Sequence, residues 1–591
     1  MARPAADLFA PLRAPADTGR LTLRRLWALL CDPAAGRGGY ALRMAAGCTA
    51  TVLVGEIWQV PDLAVPALVT MALWQKDRVT NALAGVGVNI LIAVLLTLMY
   101  GLIALTLDHP LGLVVAAALL SFGFFFLGSA SKLRPVAYML GLIIVYALVT
   151  IDRVPVGEVI TRALLYADLF LAVPGAVMLV LGLLICPSPR TVAMHGIAAR
   201  LYMAARLLRG ADPVERERAT DLLRQGAADM LKALGMARFE FLWPKPELDA
   251  LRQAAFSSVA VLALALERHE ASPGLIARID ARADAFAHGD CPADETAPGH
   301  TPIDRLLGGF STPRPDTQAP NAEAPSGFFV PDAFTNPDHV RFAVKGTAAV
   351  MTSYLLFKAL DWDGIHTCII TCFIVALPTM GEMIAKLSLR IAGALAGGAL
   401  GIVAIIAVIP HLDGITGFLM LVFAVSLLGA WVKAGDERIA YGGFQIGLAF
   451  YLTVLKGYGP TTDMATARDR IVGIMIGNAI TYAMFTSVWP TSARGRARHA
   501  LRAVARALRQ QNDAPPALQP RRATEVQAAL SEGERAVEFA AAEPVHLRAE
   551  HEALRDSRAA LTDAAQFSAQ RLAGPVAHAR SHIDRLEDIA L

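Results

Sequence analysis

Charged residues are scarce in this sequence, and the scarcity argues against most classes of soluble protein. Only 18% of the 591 residues are charged and 55% are hydrophobic, whereas soluble globular chains carry about 25% charged and about 45–50% apolar residues. The formal net charge of +3 is too small and too dispersed to favour a nucleic-acid-binding protein. The composition therefore predicts a membrane protein.

Motifs of catalysis and metal binding are absent as well. The sequence has no G-x-x-x-x-G-K-[ST] phosphate-binding loop, no H-E-x-x-H and no G-x-S-x-G. The six cysteines show no metal-ligand spacing, and Cys368 and Cys372 lie in an apolar run where packing explains them best. We therefore expect no enzyme activity, no metal site and no cofactor.

Long hydrophobic runs are abundant and fall into two blocks of six segments each. The second segment of each block is short, so it is tilted, broken or only partly spanning. Positive residues recur at alternate loops in both blocks, which by the positive-inside rule predicts that both termini are cytoplasmic. The segments are 41–60, 63–74, 82–107, 111–129, 136–151 and 165–186, then 343–360, 365–380, 387–410, 415–432, 439–455 and 471–489.

The two blocks also share local sequence. The fifth segments are similar: VAYMLGLIIVYALVT at 136–150 and IAYGGFQIGLAFYLTV at 439–454. Each block also ends in a related short segment that contains proline, serine and arginine, CPSPR at 186–190 and WPTSAR at 489–494. An Ala/Arg-rich amphipathic helix follows in both cases. These similarities predict a tandem duplication with both copies in the same orientation, related by an axis along the membrane normal.

The predicted fold class is an all-α integral membrane protein with two tandem six-helix units, each followed by a cytoplasmic helical region. No strands are evident, and 213–235 has the apolar spacing of a helix. The proline-rich stretch before the second unit predicts a disordered linker. The expected divisions are a cytoplasmic segment 1–39, a first unit 40–188, a helical domain 189–290, a linker 291–338, a second unit 339–490 and a helical domain 491–591.

Three charges at four-residue spacing lead into the third segment of the second block. Glu382, Lys386 and Arg390 form one stripe on a helix. Two interpretations are open: a charged helix end beside a packing face, or the cytoplasmic mouth of a substrate path. A doubled G-x-x-x-G face, which permits close helix packing, continues the stripe at Gly393, Gly397 and Gly401.

A second arginine has a similar setting at the start of the sixth segment. Arg470-I-V-Gly473-I-M-I-Gly477 repeats the spacing of Arg390-I-A-Gly393-A-L-A-Gly397, and Arg162 holds the corresponding place in the first block. An arginine at the centre of a span costs about 2.5–3.5 kcal/mol on insertion scales. Such cations usually face water, a carboxylate or an anionic substrate.

The chain resembles the fusaric acid resistance (FUSC) family, which includes the aromatic acid exporters of Gram-negative inner membranes. The resemblance rests on the order of the parts and on the R-x-x-G-x-x-x-G element at Arg390, Gly393 and Gly397. The resemblance implies export of small, partly hydrophobic organic acids, in some members beside a periplasmic adaptor and an outer-membrane channel. The six-helix unit is also similar to that of plant aluminium-activated malate transporters, which are anion channels. The first block departs from the pattern, with only VTNALAGVGVN at 79–89.

An aromatic carboxylate needs a cation for its charge and aromatic or apolar walls for its ring. Tyr138 and Tyr441 are candidates for the walls, although aromatics in spans usually pack or face lipid. Gln445 lies in mid-span, where an amide needs a partner. Proton coupling needs a titratable group in the membrane; Asp168 is the first candidate, unless an arginine pairs with it, and Glu382 the second.

The predicted function is therefore proton-driven efflux of small aromatic acids across a bacterial inner membrane. A passive organic-anion channel and an envelope scaffold that transports nothing stay open as alternatives. The expected partners are the organic-acid substrate and the lipid bilayer, with an adaptor, an outer-membrane channel and a second copy of the chain left open.

Overall fold

In the computed structural model of the chain, helices dominate the part that the structure describes. That part comprises residues 23–32, 36–60, 62–106, 109–132, 134–151, 157–267, 271–292, 301–308, 310, 327–456, 459–544, 548, 550–576 and 579–589. Much of the predicted segment 1–39 lies outside these residues.

The described helices fall into two apolar units and two polar groups. After α1 (Leu23–Cys31), the first apolar unit is α2 (Arg37–Ile57), α3 (Ala64–Leu73), α4 (Arg78–Thr106), α5 (Pro110–Ala130), α6 (Arg134–Ile151) and α7 (Gly157–Ile185). The first polar group is α8 (Pro189–Gly210), α9 (Pro213–Arg224), α10 (Ala228–Ala237), α11 (Lys245–Glu267), α12 (Pro273–His288) and α13 (Pro302–Leu307). The second apolar unit is α14 (Pro337–Ala359), α15 (Thr367–Val375), α16 (Met380–Val403), α17 (Ile415–Lys433), α18 (Glu437–Val454) and α19 (Met464–Ser487). The second polar group is α20 (Arg494–Asp513), α21 (Gln519–Ala542), α22 (His551–Ala573) and α23 (Ala579–Asp588).

Short elements complete the described chain. Two-residue strands β1 (Leu455–Lys456) and β2 (Gly459–Pro460) pair antiparallel after α18, and the other regular elements of the described chain are helices, as the predicted all-α class requires. Short 3₁₀ segments lie at Arg238–Glu240, Asp363–His366, Ile409–His411 and Pro516–Leu518, and a π-helical turn, Ala404–Val408, continues α16.

Length and composition identify the helices that can cross a membrane. Six segments of the described chain qualify, namely Arg78–Leu105, Leu111–Ala130, Asp168–Ile185, Lys245–Glu267, Met380–His411 and Ile415–Lys433. Lys245–Glu267 differs from the others, because 83% of its apolar window is buried inside the protein. Helix α11 is therefore the core of the first polar group, and the other five segments belong to the apolar units. Apolar side chains on the outer face of α4, such as Ile90, Val94 and Leu98, are exposed, as lipid contact requires.

The two apolar units are interleaved rather than set side by side. Helix α2 packs on α17 as α14 packs on α5, and α3 packs on α18 as α15 packs on α6. Two shared cores result, and each contains helices from both units. One core contains Met44, Met71, Val173, Val422 and Phe450; the other contains Val350, Phe373, Phe485, Phe125 and Val145.

The third helices of the two units, α4 and α16, pack on helices that do not correspond. Helix α4 packs mainly on α7, where a Cβ at Gly85 would lie 2.5 Å from the carbonyl oxygen of Gly175. Helix α16 packs mainly on α18, where a Cβ at Gly397 would lie 2.2 Å from the carbonyl oxygen of Ile446. The two units thus follow one packing plan except at α4 and α16.

Two sequence expectations about the polar regions need correction. The predicted helix 213–235 is divided into α9 and α10, because the chain turns at Gly226 with a positive φ of 55°. The linker 291–338 is expected to be disordered, but its described part contains α13, whose Ile303 and Leu307 are buried in the core of the first polar group. Residues 293–300, 309 and 311–326 of that linker lie outside the described chain.

The α16–α18 contact gives a stability prediction. We expect Gly397→Ala to lower the melting temperature of the solubilised protein, because the new methyl group meets backbone and overpacking costs about 1–3 kcal/mol. The matched control is Gly101→Ala on α4, where an added Cβ meets nothing within 4 Å. Thermal unfolding followed by size exclusion measures both. Equal melting temperatures for the two variants would contradict the close contact.

Candidate functional site

The centre of the candidate site is a fully buried arginine. Arg390 is 1% exposed, and its guanidinium donates to Gln445 Oε1 at 3.1 Å, Thr371 Oγ1 at 3.0 Å and Tyr441 Oη at 3.5 Å. These acceptors are neutral, and no carboxylate in the described part of the chain forms an ion pair with Arg390. Its Nε has no hydrogen-bond partner there either. The positive charge is solvated by dipoles but not neutralised.

The glycines of α16 explain why this arginine meets Gln445. Gly393 is one turn beyond Arg390, and a Cβ there would lie 2.6 Å from Gln445 Cβ and 2.7 Å from the carbonyl oxygen of Gly442. Gly397 and Gly401 extend the contact along α18. Because nothing separates the two backbones, a side chain from each helix can meet within hydrogen-bond distance.

A second cation shares the aromatic wall of the site. Lys386 Nζ lies 5.0 Å from the centroid of the Tyr441 ring, while Arg390 contacts the hydroxyl of the same residue. The Lys386 side chain is half-buried. Four residues predicted from the sequence, Lys386, Arg390, Tyr441 and Gln445, therefore lie together.

The structure adds Thr371 to the cluster, and it shows two more buried polar residues on α19, the helix that packs against Thr371. Thr371 on α15 accepts from Arg390, and Gly477 brings α19 against it, because a Cβ at Gly477 would lie 2.6 Å from Thr371 Cβ. Asn478 and Thr481 on α19 are buried, and neither amide atom of Asn478 has a partner among the described residues. The polar mid-span signal used for Gln445 would also have found Asn478. Thr371 gave no such signal.

Glu382 and Arg470 lie elsewhere. Glu382 forms an ion pair with Arg496 of α20, so it joins the start of α16 to the second polar group. Arg470 donates to His366 Nε2 at 2.7 Å, and Gly473, one turn on, lies against Thr367 and Ile365.

The candidates of the first unit also lie outside the cluster. Arg162 is exposed and pairs with Glu158 at 2.6 Å. Tyr138 packs its ring against Phe125 and Phe342 in one of the shared cores. Asp168 is half-buried at the start of an apolar segment, and no ion pair is seen for it within the described chain.

The cluster combines an unpaired positive charge with unpartnered hydrogen-bond donors, which is chemistry that suits an anion. Burial of an uncompensated charge costs several kcal/mol, and the unpartnered Arg390 Nε and Gln445 Nε2 are both donors. In the described residues, no group of three or more His, Cys, Asp or Glu side chains could hold a metal ion.

Comparisons with known proteins agree with the resemblance seen in the sequence. Residues 350–484, which include the whole cluster, match the family model described as fusaric acid resistance protein-like. Multidrug resistance protein MdtO of Escherichia coli K12 is 28% identical over 489 residues, 77% of this chain and 70% of that protein. The protein of the same name in Shigella flexneri is 41% identical over 187 residues, 32% of this chain and 27% of that protein. No solved structure matches the chain.

The resemblance to the fusaric acid resistance family is thus confirmed, and the chain is a multi-span membrane protein related to these resistance proteins. The alignment with the Shigella flexneri relative spans about a quarter of that protein's length.

The unpaired charge of Arg390 gives a second stability prediction. We expect Arg390→Met to leave the melting temperature unchanged or to raise it, because an apolar side chain of similar volume removes a buried charge that nothing neutralises. Lys345→Met is the comparison, since Lys345 is also buried but caps the carbonyl of Trp489. Thermal unfolding of both variants measures the difference. A large loss of stability in Arg390→Met would mean that the arginine serves the fold.

Proposed function

We propose that the chain is a bacterial inner-membrane exporter of small aromatic carboxylic acids, driven by the proton gradient. The observation that carries the proposal is the buried Arg390, whose charge no carboxylate of the described chain neutralises. An incoming carboxylate would remove that electrostatic cost and form charge-assisted hydrogen bonds, which are stronger than neutral ones. Substrate binding would therefore be favourable, because the empty site holds a buried charge without a counter-charge.

The neighbouring groups suit the rest of such a substrate. On this proposal the carboxylate bonds to the guanidinium of Arg390 and to Gln445 Nε2, and Lys386 draws the anion towards the site. The Tyr441 ring provides an aromatic wall. Asn478 offers a donor and an acceptor to a polar substituent. Arg470 and Arg162 lie outside the cluster, and we propose them as weaker contacts for the substrate along its path through the membrane. Tyr138 is proposed as an aromatic wall of that path in the first unit.

The arrangement of the units supports a transporter. We infer that the apolar units, 40–188 and 339–490, are tandem copies in parallel orientation, because the shared cores repeat the same set of contacts. The polar groups and both termini then lie in the cytoplasm. The relatives' name, multidrug resistance protein, supports export. An adaptor and an outer-membrane channel would continue the route, and self-association is compatible with it.

Two other functions fit some of the observations. An anion channel would use the same buried arginine, and an envelope scaffold would use only the polar groups. Coupling to protons distinguishes the exporter from the channel, and any protein-dependent flux excludes the scaffold.

Export of aromatic acids is the first functional prediction. Cells preloaded with radiolabelled hydroxybenzoates should lose the label in a protein-dependent way, and Arg390→Met should lower the rate about tenfold or more, since a hydrogen bond to a charged group contributes about 1.5–3 kcal/mol. Arg390→Lys should recover part of the rate, because it restores the charge without the bidentate geometry.

The matched control for Arg390→Met is Arg341→Met, at an exposed arginine that pairs with Asp338 near the start of α14. All variants are compared at equal abundance in the membrane. Full activity of Arg390→Met would overturn the proposed site. No flux of any acid through the wild-type protein would overturn the proposed function.

Proton coupling is the second functional prediction. In proteoliposomes with an imposed pH gradient, wild-type protein should accumulate the acid against its gradient and lose that ability with a protonophore. Asp168→Asn should abolish uphill transport but keep downhill exchange, because the site stays intact without its titratable group. Glu158→Gln on the same helix is the control.

Glu382→Gln tests the second coupling candidate in the same assay. Because Glu382 pairs with Arg496, we expect a smaller effect there than at Asp168. Wild-type flux that runs only downhill would identify an anion channel and contradict the coupled exporter.

A further inference from the structure

A turn of the first polar group exposes three large apolar side chains within four residues. Phe239, Phe241 and Leu242 are 56%, 90% and 65% exposed, and we call residues 239–242 the aromatic loop. The loop connects α10 to α11 through the 3₁₀ turn Arg238–Glu240. A contiguous exposed patch of this kind marks an interaction surface rather than a chance exposure.

The backbone of the loop is also unusual. Phe241 has a φ of +55°, in the left-handed region that bulky residues rarely adopt. Backbone strain of this kind persists only where the surroundings fix it, and it is concentrated at functional segments. Here the strained residue is the most exposed of the three, so packing inside the described chain gives no reason for it.

Glu240 fixes the loop beside two spans. Its side chain is 4% exposed and accepts from Arg78 Nε at 2.7 Å, Ser188 Oγ at 2.7 Å and Trp243 Nε1 at 2.8 Å. Arg78 is the first residue of α4, and Ser188 follows the end of α7. Burial alone would raise the pKa of the Glu240 carboxyl, but hydrogen bonds from Trp243, Ser188 and Arg78 hold that pKa below its usual value. The contact is therefore charged and strong.

The position of Glu240 sets the depth of the loop. Because Arg78 begins a membrane-spanning segment, the loop lies at the level where α4 and α7 leave the bilayer. Two exposed bases flank it in the chain, Arg238 and Lys245. Aromatic side chains with neighbouring bases are typical of segments that lie in the interface of an anionic membrane.

We propose that the aromatic loop inserts Phe239, Phe241 and Leu242 into the boundary between lipid headgroups and acyl chains beside α4 and α7. The occupant of this surface is then phospholipid. The insertion anchors the first polar group to the bilayer at a point that does not depend on the transported substrate, and its test is independent of the proposed function.

The test uses the full chain in nanodiscs of equal parts phosphatidylcholine and phosphatidylglycerol. Cys31 and Cys291, the exposed thiols of the described chain, are replaced by serine, and Phe241→Cys carries an environment-sensitive NBD fluorophore. At an interfacial depth of about 5–10 Å, its emission should shift to the blue and fall by roughly half with lipids that carry a nitroxide high on the acyl chain. Leu242→Cys provides a second site if the first variant misfolds.

The matched control is the same label at Val214→Cys, an exposed apolar position on α9. That label should show water-like emission, quenching by iodide and no response to nitroxide lipids. Label at 241 that behaves like label at 214 would overturn the proposal. Protection that appears only in nanodiscs with two copies, or only after a second protein is added, would also overturn it in favour of a protein partner.

Discussion

The close contact between α16 and α18 is the constraint on which the candidate site depends. Glycine at 393, 397 and 401 removes the side chains that would hold the helices apart. The same contact brings Gln445 to Arg390 and closes the arginine off from lipid and water. In this protein the packing motif and the candidate binding chemistry are therefore one feature, since a wider spacing would break the hydrogen bonds around the guanidinium.

The partner of the third helix explains why the described chain has this cluster in only one unit. Helix α16 lies on α18, which carries Tyr441 and Gln445, whereas α4 lies on α7 and brings Asn81 to the carbonyl of Met178 instead. The related tyrosine of the first unit, Tyr138, is left to pack in a shared core. The two shared cores are thus nearly symmetric, whereas the packing of α4 and α16 is not.

Each polar group contacts the beginning of one of these two helices: the first contacts α4 and the second contacts α16. Arg78 of α4 pairs with Glu240, and Glu382 of α16 pairs with Arg496. Gly381 also lies directly against the backbone of Phe539 on α21. The polar helices therefore contact the membrane helices at the two points where the units differ, so any movement of α4 or α16 must be accommodated by the polar groups.

The sequence alone predicts which segments are apolar helices, because hydrophobic length and glycine spacing are local properties of the chain. The sequence also predicts Lys386, Arg390 and Gln445 as candidate residues, because a charge or an amide in an apolar run stands out. Tyr441 is predicted as an aromatic wall for the substrate ring. The sequence did not predict the turn at Gly226 that divides 213–235. It also did not predict that α13 in the linker 291–338 would be ordered, because that helix is held by its packing on helices far along the chain.

Which charges have partners is known only from the folded chain. The sequence could not show that Glu382 pairs with Arg496, or Arg470 with His366, while Arg390 has no carboxylate in the described chain. Nor could it show that Thr371 accepts a hydrogen bond from Arg390, or that α4 packs on α7 whereas α16 packs on α18. The physical reason is that pairing and burial depend on which distant segments approach, and the interleaving of the two apolar units fixes those approaches.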